Sequence, residues 1–92
     1  MAGVLCEQVG PGMRASERAV TIRDVRGHRE LILVENDFLS VQGEKIYLPV
    51  GVVFVDNERH TVLVEFPHEP ITGGNRVWVR STDLIGVNGE KP

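Results

Sequence analysis

Arg76, Trp78 and Arg80 are the residues of this chain most suited to recognition chemistry, and they recur at a spacing of two in Arg76-Val77-Trp78-Val79-Arg80. Successive side chains of an extended strand point to opposite faces, so Val77 and Val79 turn toward a core while the other three share the outer face. A flat indole between guanidinium groups can stack a nucleobase and neutralise phosphate, or pack against a protein. A plainer use of the same residues is also open: Trp78 covers an adjacent strand while the arginines pair with Glu65 or other carboxylates across it.

A second candidate is the connection over residues 67–75, where His68, Glu69, Thr72 and Asn75 carry donors and acceptors. Loops on rigid scaffolds commonly hold binding residues, and Gly73-Gly74 could present backbone N–H groups to an anion. No Lys-Ser/Thr pair follows the glycines, so a P-loop is excluded. The same segment also reads as a simple connection turned by its Pro and Gly residues.

Other chemistry is poorly supplied. His28, His60, His68 and Cys6 stand at no metal-binding spacing, and Cys-x-x-Cys is absent, so neither a metal nor a cofactor is expected. Ser16, Ser40 and Ser81 lie in no Gly-x-Ser-x-Gly context. Glu65 and Glu69 straddle Pro67, which leaves their separation undefined. The chain is not expected to be an enzyme.

The elements that must position these residues are short strands. Val20 to Arg23 and Glu30 to Glu35 flank a tight turn at Asp24-Val25-Arg26-Gly27 and predict a first hairpin. Phe38 to Gln42 and Lys45 to Leu48 flank Gly43-Glu44. Pro49 interrupts the ladder, and Gly51 permits a sharp bend. Val52 to Val55 and Thr61 to Phe66 form a further hairpin, then come the Trp78 strand, one helical turn at Ser81 to Leu84, and a closing strand over residues 84–87. Asp24 and His28 repeat the spacing of Asp56 and His60, as two hairpins obeying the same turn chemistry would.

No window between residues 20 and 87 has helical apolar periodicity. Close turn signals between short strands predict an all-β barrel or sandwich. At 92 residues, which is one domain, a barrel is favoured because closure removes exposed edges. The division is a flexible arm over residues 1–18, for which an added edge strand is the alternative, a barrel over 19–87 and a polar tail over 88–92.

The stretch over residues 50–87 resembles an SH3-like barrel in having a long bent hairpin, a loop, a short Val77-Trp78-Val79 strand, a single turn and a last short strand. The resemblance implies a small SH3-like barrel of about six or seven short antiparallel strands. The acidic and aromatic run that grips proline-rich peptides in signalling SH3 domains has no counterpart, so that activity does not transfer with the fold.

Composition narrows the partner. Hydrophobic residues are 41%, charged residues 25%, and the net charge is −3, values suited to a globular domain. Eight of the ten basic residues are Arg, five of them between Arg14 and Arg29, whereas eight carboxylates lie between Glu30 and Glu69. A net negative chain with two Lys is poor material for salt-sensitive phosphate binding.

A non-catalytic protein-interaction module is therefore expected. Nucleic-acid binding through Arg76, Trp78 and Arg80 with Arg23, Arg26 and Arg29 is the alternative. A homo-oligomer subunit joined through an edge such as Lys45 to Leu48 is a third. A single cysteine, no basic-then-apolar leader, Ala2 instead of a myristoylated Gly, and no apolar run of membrane-spanning length make the cytoplasm the expected compartment.

Overall fold

The computed structural model describes residues 2–86, which contain nine β-strands, two three-residue 3-10 turns and no α-helix. The strands are β1 (Ala2–Leu5), β2 (Gln8–Pro11), β3 (Glu17–Arg23), β4 (Arg29–Glu35), β5 (Ser40–Gln42), β6 (Lys45–Asp56), β7 (Thr61–Glu65), β8 (Arg76–Arg80) and β9 (Leu84–Ile85). They form two antiparallel sheets. One runs β8-β7-β6-β1-β9, with β5 also on β6, and the other runs β2-β3-β4.

The core is apolar and continuous between the sheets. Val20, Ile22, Ile32 and Val34 come from the three-stranded sheet, and Val4, Leu48, Val50, Val62, Val64 and Val79 from the larger one. Period-two burial in β3, β4 and β7 is the signature of half-buried β-branched strands.

The flexible arm expected over residues 1–18 is corrected. β1 lies between β6 and β9, with Val4 opposite Leu48 and Leu84, and Val4 is fully buried. β2 then pairs with β3 from Gln8–Thr21 to Pro11–Arg18. Gly10 and Pro11 pair with Ala19 and Arg18 as the last residues of β2, an edge strand where a proline is tolerated, so the expected break falls only at Gly12. Gly3 faces Tyr47, where a Cβ would sit 3.1 Å from the Tyr47 Cβ, so close approach explains a glycine in a central strand. The 88–92 tail lies outside the described residues.

Two further expectations change. Lys45–Leu48 and Val52–Val55 belong to one twelve-residue strand, because Pro49 and Gly51 fall where β6's partner on one edge passes from β5 to β7. Lys45 to Leu48 is also no exposed edge. Tyr47 pairs with Leu5 of β1 and Ser40 of β5, and Ile46 accepts the Cys6 N–H, so both sides are occupied.

The hairpin turns share their chemistry. Asp24 Oδ1 accepts the N–H groups of Arg26 and His28, and Asp56 Oδ1 accepts those of Glu58 and Arg59. The caps account for the aspartates of the repeated spacing but not for both histidines: His28 is held by Asp24, whereas His60 makes no bond to Asp56 and takes a positive φ.

Candidate functional site

The Arg76–Arg80 strand is placed by two neighbours. β7 pairs along its length, with Leu63 opposite Trp78, Glu65 opposite Arg76 and Thr61 opposite Arg80. At its other edge the Val25 N–H, from the β3–β4 turn, donates to the Trp78 carbonyl at 2.9 Å. Val79 is buried and Val77 packs against the core, while Arg76, Trp78 and Arg80 face outward.

Trp78 is 36% exposed, and its ring meets Phe54 edge-on with centroids 6.1 Å apart. Register continues the contact across three strands, since Phe54 lies opposite Leu63 and Leu63 opposite Trp78. Aromatic pairs of this kind and cross-strand rows stabilise a sheet. Trp78 therefore both covers Leu63's strand and leaves ring surface to solvent.

The arginines are largely engaged. Arg76 reaches Glu65 at 3.2 Å, and Arg80 lies 3.7 Å from Asp83. Arg29 donates to Glu7 through Nε at 2.8 Å and Nη2 at 3.3 Å, and Arg23 Nη2 binds the same carboxylate. The Arg29 hydrogen bond is the main reason that the Glu7 carboxyl is held below its ordinary value of 4.5, and the Arg29 guanidinium is held more firmly protonated in turn. Of Arg23, Arg26, Arg29, Arg76 and Arg80, only Arg26 has no ion pair among the described residues.

The 67–75 connection does not join this face. His68 lines a shallow depression of about 440 Å³ with Val34, Glu35, Asp37, Phe38 and Pro67. Glu69 borders an adjacent one with Arg14, Leu33 and Ile71. The segment is strapped to β4: the Ile71 N–H donates to the Leu31 carbonyl, and the Thr72 hydroxyl accepts the Leu31 N–H and donates to Glu30. Asn75 supplies its carbonyl to the Phe66 N–H, prolonging the β7–β8 ladder. Thr72 and Asn75 thus position the backbone.

Phe54, which sequence reasoning did not single out, completes the outward patch, while Val52 and Val55 lie on the core side opposite Val64 and Val62. Val52, Val53, Phe54 and Val55 are all between 36% and 57% exposed. Their run of four was visible, but a continuous apolar run ordinarily signals burial on both faces. Among the described residues, no group of three or more His, Cys, Asp or Glu could hold a metal, and no helix is long and apolar enough to cross a membrane. Burial pushes the Cys6 thiol up to about 12. Comparison with protein-family models, curated proteins and solved structures gives no match.

Proposed function

We propose that this chain is a non-catalytic protein-interaction module acting in the cytoplasm, and that its contact face is the apolar end of β6, β7 and β8 centred on Trp78. The observation that carries this is the pair of exposed aromatic side chains Phe54 and Trp78, which meet edge-on in one outward row with Leu63 on a small domain. Contiguous apolar surface of this kind is usually covered by a partner, and half-exposed aromatics are favoured anchors of such contacts. Arg76 and Arg80, already balanced by Glu65 and Asp83, make a polar rim. The strand order from β6 to β9, with a 3-10 turn at Ser81–Asp83, supports describing this part as SH3-like.

Nucleic-acid binding is the weaker alternative, because four of its five arginines are in ion pairs with carboxylates that phosphate would have to displace. A photo-crosslinking amino acid at Thr61, between Asp56 and Arg80 on the outer face, tests both. The expected product is a discrete protein adduct, insensitive to salt and lost with a folded Trp78→Ala variant. An adduct with nucleic acid that falls steeply with salt would replace this proposal by the alternative. A Trp78→Ala chain that is destabilised but crosslinks as before would reduce Trp78 to a strand cover.

A further inference from the structure

The outer half of β6 is an unfinished edge. β1 and β5 flank Tyr47 on opposite sides, and the sheet order puts β7 on the side away from β1. β1's pairing ends at Ala2–Val50, so from Gly51 to Asp56 the β1-side edge of β6 has no paired strand among the described residues. On the core side, Val52 and Val55 lie opposite the buried Val64 and Val62, yet remain about two-fifths exposed. They are core valines left at an open seam. On the outer side, Phe54 heads the row to Leu63 and Trp78.

Long apolar edges are normally blunted by charge or proline. Here residues 50–55 carry neither; the one interruption is a bulge between Val52 and Phe54. Such a strand offers hydrogen-bonding groups and apolar side chains but nothing to select a charged partner. It does match itself.

We infer that a second copy of this chain adds to the Gly51–Asp56 edge of β6 as an antiparallel strand related by a two-fold axis. Placing Val52 opposite Val55 of the second copy keeps the core-side valines together and covers both seams. That register puts the only charged residue of the segment, Asp56, opposite Gly51 of the second copy, so no like charges meet. Each copy spends the same edge, which closes the assembly at two. The bulge and the shortness of the segment limit the contact to the weak end of specific interfaces. This inference rests on the interaction-module proposal and names the partner of the β6 edge, separate from the Trp78 face.

Sedimentation of the full chain from about 5 to 500 micromolar, a range wide enough for a weak contact, reads the outcome directly. The weight-average mass should rise from 10.2 kDa toward twice that value. It should be unchanged or increased by added salt, and amide exchange over residues 52–56 should slow as concentration rises. Val53→Lys, at an exposed bulge position, should weaken association at least tenfold while native circular dichroism and Thr61 crosslinking to a partner protein persist. A mass fixed at 10.2 kDa throughout, growth beyond two copies, or a dimer untouched by both Val53→Lys and Val55→Lys with no protection at 52–56 would overturn the inference. None of those results would affect crosslinking from Thr61, which tests the Trp78 face alone.

Discussion

Val4→Ala isolates the role of the N-terminal strand. Val4 is fully buried in β1, with Leu48 opposite on one side and Leu84 on the other. Removing two methyl groups forfeits about 1.6 kcal/mol of transfer free energy, and the cavity left between two sheets raises the loss to about 2–3 kcal/mol. For a domain of this size, each kcal/mol moves the melting temperature by about 4–8 °C, so a fall of about 10–20 °C is expected. Melting at about 5 micromolar keeps self-association from adding to stability. Far-UV circular dichroism and the fluorescence of Trp78, the only tryptophan, should change together. Urea unfolding should show a lower midpoint at unchanged slope. Met13→Ala, at an 85% exposed position, serves as the control and should shift little. A Val4→Ala fall below about 3 °C would mean that residues 2–5 do not carry core packing, and the placement of β1 would be wrong.

Three other outcomes follow from the same structure. Glu7→Gln should lower the melting temperature at neutral pH, because the folded carboxyl is held below 4.5 by Arg29 and Arg23. That stabilisation is present above the unfolded value and fades as pH falls through the folded one, so variant and parent melting curves should converge in acid. Cys6, raised from 9.0 to about 12, should alkylate with iodoacetamide far more slowly in the native chain than in urea at pH 8; its thiolate fraction is roughly a thousandfold smaller. Equal rates would show that Cys6 is not shielded. Asp24→Ala, which removes the acceptor for the Arg26 and His28 N–H groups, should cost about 1 kcal/mol in urea unfolding; no change would mean that the turn holds without its cap.

Strands with a clean local signal were legible from residues alone. The Asp24–Gly27 and Gly43-Glu44 turns, the alternation of Thr61 to Phe66, the 3-10 turn at Ser81–Asp83 and the outward stripe of Arg76, Trp78 and Arg80 all depend on neighbours in sequence. What was illegible depends on distant pairing. Ala2–Leu5 is too short and too glycine-interrupted to announce itself, and its status as a central strand comes from Leu48 and Leu84. The exposure of Val52 to Val55 arises because β1 stops at Val50, which no local pattern encodes. Arg23 and Arg29 were visible as cations, but Glu7, which occupies them both, lies beyond the predicted arm boundary.

The Val25 amide on the Trp78 carbonyl has a consequence for how copies of this molecule can add to one another. An endless ribbon needs two free rims on every unit, one to accept the previous member and one to receive the next. In the larger sheet the β8 rim is stoppered by a turn from the other sheet, which leaves the β6 rim as the long one to be shared beside the short β5 and β9 edges. Breaking that single tether would do more than loosen a hairpin: it would give the unit a second long rim and turn a self-limiting pair into a seed for polymer growth.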